Sequence, residues 1–149
     1  MSPPVSPISV ERLQILMKLS RTAAYALHAT LRLAEAKSTA PTPCSKLASD
    51  GEMPERFLLQ ILRNLVNHGV LRSTRGVEGG YSLARTPQQI SLLEILEAIE
   101  GPIGSANDVA ELLPRNYRKA ITTAMNQVSK NLRAELKAIT IAKLMNKGR

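Results

Sequence analysis

Arg56, Gln60 and Arg63 stand at i, i+4 and i+7 within a stretch whose apolar positions are Phe57, Leu58, Ile61, Leu62, Leu65 and Val66. On a helix this spacing puts a carboxamide and two guanidinium groups on one face, with the apolar residues facing inward. A carboxamide bonds bidentately to an adenine edge and a guanidinium to a guanine edge, so the row has the chemistry of base reading in a major groove. The plain alternative is a solvated helix face. Leu59 lies beside the row and offers only an apolar contact. Further along, Arg75 heads the run Arg75-Gly76-Val77-Glu78-Gly79-Gly80, in which glycines permit a tight loop carrying one arginine. An arginine so presented suits a narrow, electronegative minor groove. Ser20, Arg21, Tyr25 and Arg72 carry hydroxyl or guanidinium donors of the kind that bind backbone phosphates and fix register without reading sequence.

Other chemistry is thinly supplied. The chain has one cysteine, Cys44, and two histidines, His28 and His68, with no partner at metal-ligand spacing. No metal site and no cofactor are expected. Cys44 lies near a helix start, where the dipole favours a thiolate, but an inert small residue is the simpler reading. There is no nucleophile elbow, no phosphate-binding loop and no paired His and carboxylate, so no catalytic residue is assigned and an enzyme is not expected.

The elements that must hold these residues are legible from periodicity and punctuation. Ser20 is placed to cap a helix running through Tyr25, Ala26, Leu27, Ala29, Thr30, Leu31, Leu33 and Ala34, which ends before the 38–43 breaker. A short helix over 45–49, the turn Asp50-Gly51, and a second helix with Pro54 as its first residue follow. Gly69 closes that helix as a left-handed residue, and the segments 70–74 and 81–83 pair as a hairpin around the glycine loop. Ser91 and Glu94 make a capping-box signature for the next helix, which Gly101-Pro102 closes. Helix, turn, helix and hairpin together form a winged helix.

From Tyr117 onward the apolar positions recur at three- and four-residue steps, predicting a long amphipathic helix after a polar connector. Tyr117, Ile121, Ala124, Val128, Leu132 and Leu136 form a narrow stripe that one small domain does not cover. The economical partner is the same helix from a second copy, so a homodimer is expected. The expected fold is therefore mainly α with a small β-hairpin, a winged helix-turn-helix plus a long C-terminal dimerisation helix. Residues 1–16 read as a flexible N-terminal extension, 17–104 as the winged helix-turn-helix, and 105–149 as connector, dimerisation helix and C-terminal segment.

Charge agrees with a polyanionic partner. The formal net charge is +8, and residues 105–149 hold nine Lys/Arg against three Asp/Glu, so the C-terminal part is the basic one. No apolar run approaches the ~20 residues that span a bilayer, and a lone cysteine cannot close a disulfide within the chain. A cytoplasmic protein with no membrane partner is expected.

Several motifs in order carry a family resemblance: Leu19-Ser20-Arg21, Tyr25-Ala26-Leu27, Phe57 to Leu62, Arg75-Gly76 with Gly79 to Ala84, and Ile95 to Pro102. Together they resemble the IscR/NsrR family of bacterial transcription regulators over about residues 17–104, and Ile139 to Leu144 is similar to the family's ending. The resemblance implies a dimeric winged-helix protein that binds double-stranded DNA at a pseudo-palindromic promoter element; a repressor is expected, with repression against activation left open. At Leu59 some relatives carry an acidic base-reading residue, so an apolar contact would replace it here. In many members an iron–sulfur cluster is held by three cysteines between the helix ending near Gly101 and the dimerisation helix. This chain has none there, and one distant cysteine does not replace them, so a regulator without the cluster is expected. Its effector, a protein or a small molecule, stays open. So do two other uses of the fold: a winged-helix protein-interaction module, and a regulator controlled by docking a metabolic enzyme.

Overall fold

The computed structural model describes residues 19–36, 39–104 and 108–148; the expected extension over 1–16 lies outside the described residues. Helix α1 (Arg21–Glu35) starts where Ser20 accepts a hydrogen bond from the Ala23 amide at 3.0 Å, satisfying one of the donors that a helix start leaves open. Ala23, Ala26, Ala29, Thr30 and Leu33 are its buried face, and the Thr30 hydroxyl is satisfied by the Ala26 carbonyl at 2.8 Å. Helix α2 (Cys44–Asp50) and helix α3 (Glu55–Asn67) follow. Pro54 caps α3 in extended conformation and is not its first helical residue, a displacement of one position from the sequence reading.

In the turn between α2 and α3, Glu52 takes the left-handed conformation, at φ 52°. A Cβ on Gly51 would sit 2.4 Å from the Met53 methyl, the movable end of a flexible side chain, and 3.0 Å from His28 Nε2, so the turn packs closely on both. At the far end of α3, Gly69 has φ 75° as a C-terminal glycine should, and its amide returns to the Val66 carbonyl.

Strands β1 (Leu71–Thr74) and β2 (Gly80–Leu83) pair antiparallel, from Leu71 opposite Leu83 to Thr74 opposite Gly80. The hairpin is also fastened on its outer edge, where Thr42 and Tyr81 exchange backbone hydrogen bonds at 2.9 and 2.8 Å. Helix α4 (Leu92–Glu100) begins with the expected capping box: Ser91 accepts from the Glu94 amide and Glu94 accepts from the Ser91 amide. Helix α5 (Arg118–Ala138) is the long amphipathic helix, and helix α6 (Ile141–Lys147), capped by Thr140, follows it. None of the described helices is long and apolar enough to cross a membrane.

One core gathers α1 to α4 and the hairpin around Leu47, Leu58, Ile61, Leu62, Leu65, Val70, Ile90 and Ile95. Truncating any of its large members to alanine would cost about 2–5 kcal/mol. The C-terminal segment is not a detached appendage. Ile141 of α6 is buried in this core, and its amide bonds to the Ile90 carbonyl while the Leu92 amide bonds to the Ile139 carbonyl. A second cluster joins Ala23 of α1, Leu93 and Leu96 of α4, and Leu136 of α5. The border near residue 104 thus marks a connector, while packing crosses it.

Two ion pairs radiate from α4. Arg85, just past β2, bonds to Glu94 at 2.5 Å, and Arg133 of α5 bonds to Glu97. Burial alone would raise the Glu94 carboxyl, but hydrogen bonds from Arg85 and Ser91, with the Arg85 charge, together hold it below the usual carboxylate range. Because the folded pKa is depressed, the stabilisation is present above the unfolded value of about 4.3 and is lost as pH falls through the folded one. Glu94→Gln keeps a residue that serves in a capping box but removes the charge. It should lower the urea midpoint at pH 7, and the midpoints of variant and wild type should draw together as pH falls below about 4.3. A gap that persists unchanged at pH 3 would assign the loss to something other than the ion pair.

Candidate nucleic-acid interface

The rotation of α3 is set by Leu58, Ile61, Leu62 and Leu65, all buried, and the opposite side therefore faces solvent. Arg56, Gln60 and Arg63 lie exposed along it, and Leu59 is half-buried on its flank. Asn67 continues the row one turn further. The sequence reading did not include it because it is the last residue of the helix, where period alone does not tell a helical residue from a turn. Phe57, also exposed, meets Tyr25 of α1 edge to face, with ring centroids 5.9 Å apart. The Tyr25 ring is thus held against α3, and its position follows that of the exposed row.

The wing adjoins this row. Burial and the neighbouring Cys44 push the Tyr81 hydroxyl above the ordinary phenol range, and Arg63 opposes them, so the α3 arginine lies within electrostatic reach of β2. Arg75 and Gly76 are exposed, and Val77 at the tip is fully so. Gly79 and Gly80 have a packing role. A Cβ on Gly79 would lie 2.2 Å from the Thr74 carbonyl oxygen, and one on Gly80 would lie 2.4 Å from the Thr42 carbonyl. Both glycines let the returning strand close against β1 and the segment before α2, which holds the Arg75 loop in place. Arg72 is exposed on β1, opposite Ser82.

Of the residues expected to contact phosphate, Arg21 is exposed and Tyr25 half-buried. Ser20 differs from expectation: its oxygen accepts the Ala23 amide and its hydroxyl donates to Glu100 of α4, so its donor is already committed. On α5, Tyr117, Ile121, Ala124 and Val128 are exposed, with Val128 57% accessible. Met125, another apolar position of the same period, joins them at 58%. Leu136 is a correction to that stripe, since it is 1% exposed and packed inside its own chain against α1 and α4, with Leu132 partly buried beside it. Periodicity identifies an apolar stripe but not which portion of it the same chain covers.

Histidine and cysteine have structural surroundings. His28 Nε2 is buried beside Gly51 and Met53 with no hydrogen-bond partner among the described residues, and His68 Nδ1 donates to the Asn64 carbonyl at 2.8 Å. The Cys44 thiol donates weakly to the Glu55 carbonyl at 3.7 Å, and burial, then the Glu55 charge, push its pKa up. The helix start therefore does not make it a ready thiolate. Arg85, which sequence reasoning passed over, makes three bonds, to the Gly69 carbonyl at 3.3 Å, the Gln89 carbonyl at 2.9 Å and Glu94. Only its place after the second strand hinted at a role.

The sequence pattern of the Rrf2 family, described as an iron-dependent transcriptional regulator, matches residues 19–147. A Mycobacterium tuberculosis protein named as an HTH-type transcriptional regulator is 37% identical over 123 residues, spanning 83% of this chain and 75% of its own length. Among solved structures, CymR, the global cysteine regulator of B. subtilis, is similar at TM-score 0.72 and 25% identity, covering 89% of this chain and 98% of its own. IscR of T. potens is similar at TM-score 0.67 and 25% identity, covering 91% and 90%.

An iron–sulfur group does not fit the residues present. Thiolates are its main ligands, the sequence has one cysteine, and that one lies on α2 with its thiol pKa raised. Among the described residues no three of His, Cys, Asp or Glu come together as a metal site would require. With its helix-turn-helix, its hairpin wing and a match over nearly its whole length, the chain belongs to the Rrf2 family of transcriptional regulators, DNA-binding proteins and not enzymes.

Proposed function

We propose that this regulator acts as a homodimer that reads a pseudo-palindromic operator, represses by occupying it, and works without an iron–sulfur cluster. The observation that carries the reading is the exposed row Arg56, Gln60 and Arg63 opposite four buried apolar residues of α3. In this reading residues 17–104 are the reading head. Gln60 and the two arginines bond to base edges in the major groove, with Leu59 as an apolar contact, while Arg75 and its glycine loop enter the neighbouring minor groove. Arg21, Tyr25 and Arg72 hold phosphates. Residues 105–149 join the two copies along Tyr117, Ile121, Ala124 and Val128 of α5, which spaces the half-sites one helical turn apart, about 34 Å. The effector is a protein or a small molecule.

Helix and wing do different physical work, and fluorescence anisotropy over a salt series separates them. Gln60→Ala should cost about 1–3 kcal/mol on the cognate duplex and relax preference at one position per half-site, with random-sequence binding nearly unchanged. Arg75→Ala should weaken binding to both duplexes and flatten the slope of log affinity against log salt by about 1. If wild type shows no salt-dependent duplex binding, or both variants match it, the assignment of these residues to DNA fails.

The exposed stretch of α5 is a patch that a soluble monomer seldom leaves open. Ile121→Glu combined with Val128→Glu should convert the sedimenting dimer to monomer and reduce operator affinity with it. A variant that stays dimeric with full affinity would put the interface elsewhere.

Anaerobic reconstitution with iron and sulfide is expected to give no stoichiometric iron and no charge-transfer absorption in the visible range. A bound cluster with those bands would overturn the cluster-free reading.

A further inference from the structure

We propose that Arg85 is a positioning residue of the wing: it fixes the angle at which the Arg75 loop leaves the domain, and through that angle the wing's share of DNA binding. The inference rests on the reading of Arg75 as a DNA contact. Arg85 leaves β2 one residue after Ala84, whose amide bonds to the Val70 carbonyl at 3.0 Å. From there its guanidinium reaches three separate pieces of the domain. Nε donates to Gly69, the residue that ends the recognition helix, Nη1 to Gln89 in the turn before α4, and Nη2 to Glu94 within α4. One planar fork thus ties the exit of the wing to the C-terminal turn of α3 and to the first turn of α4.

The acceptors are themselves held. Glu94 accepts the Ser91 amide at 2.9 Å, so its carboxylate is oriented before Arg85 meets it. Nearer the loop, the outer edge of the same strand is fixed by the Thr42 and Tyr81 exchange, which leaves the exit of β2 as the second point at which the wing's tilt is set. That tilt carries to the loop. Extended chain rises about 3.4 Å per residue, so with Tyr81 as the fulcrum Arg85 lies roughly 14 Å to one side and Gly79 of the loop roughly 7 Å to the other, and a shift of about 2 Å at Arg85 moves the loop by about 1 Å. A displacement of that size takes an arginine out of hydrogen-bond range in a groove about 6 Å wide. Lysine would not replace it, because a single ammonium on a flexible stem does not span three acceptors in fixed directions.

A partly exposed ion pair that merely adds stability is the competing account, since the Arg85 and Glu94 side chains are 35% and 36% accessible. Coupling to Arg75 distinguishes the two. Wild type, R75A, R85A and the double variant are compared by fluorescence anisotropy on a duplex selected from random sequence by the wild-type protein, with folding followed by circular dichroism. R85A is expected to lose roughly fivefold to tenfold in affinity and to show the flattened salt slope of R75A, with R85K in between; in the R75A background its further loss should be under about twofold. Should R85A fail to fold, E94Q carries the same cycle, because glutamine preserves the capping box. Losses that multiply in the double variant, or an R85A protein that binds as wild type, overturn the positioning role while leaving the wing contact standing. An R75A protein that binds as wild type removes the wing contact itself, and the inference with it.

Discussion

Leu58, Ile61, Leu62 and Leu65 hold α3 at one rotation about its axis. Turning the helix by one residue's step of 100° would draw polar side chains into a close-packed interior and expose several of these four. Each apolar side chain so exposed costs about 1.5–3 kcal/mol, before the penalty for any buried guanidinium. The direction in which Arg56, Gln60 and Arg63 point is therefore a property of the core, not of the surface. The edge-on contact of Phe57 with Tyr25 extends that control to α1, and the hydrogen bonds of Thr42 with Tyr81 extend it to the wing.

What was legible in the sequence was whatever a short window contains. The Ser91 and Glu94 capping box, the left-handed Gly69, the apolar period of α5 and the glycine loop each depend on residues a few positions apart, and each is found where the spacing put it. What was not legible depends on chain segments brought together from afar. Gly80 must be glycine because the backbone of Thr42 lies against it, and Gly51 lies close against Met53 and His28. Leu136 leaves the outer stripe because Ala23, Leu93 and Leu96 meet it inside the fold. Ser20 was read as a phosphate donor because nothing near it in sequence announces Glu100, eighty residues away.

The same distinction governs the segment after α4. The resemblance to cluster-bearing regulators places their thiolates between α4 and the dimerisation helix, where this chain has other means of holding the backbone. Glu97 accepts the Ile103 amide at 2.9 Å and also pairs with Arg133 of α5. Gly104 packs so closely on Ser129 that a Cβ there would fall 2.6 Å from the serine's own. The first residues after α4 are thus attached to α5 by a carboxylate, a guanidinium and a close backbone contact. Such an attachment uses only groups of the chain itself.

Helix α4 connects these arrangements. It buries Leu93, Ile95, Leu96 and Ala98 and directs three carboxylates outward: Glu94 to the exit of the wing, Glu97 to α5 and Glu100 to the start of α1. Nine residues of helix are too short to bend appreciably, so the three attachments share one rigid body. A carboxylate row on the outside of a helix is ordinarily a solvated face of little energetic weight. Here each member has a fixed partner on a different element. The apolar side of α4 packs it against α1 and α5, and its carboxylates add a fixed contact to each of those helices and to the exit of the wing.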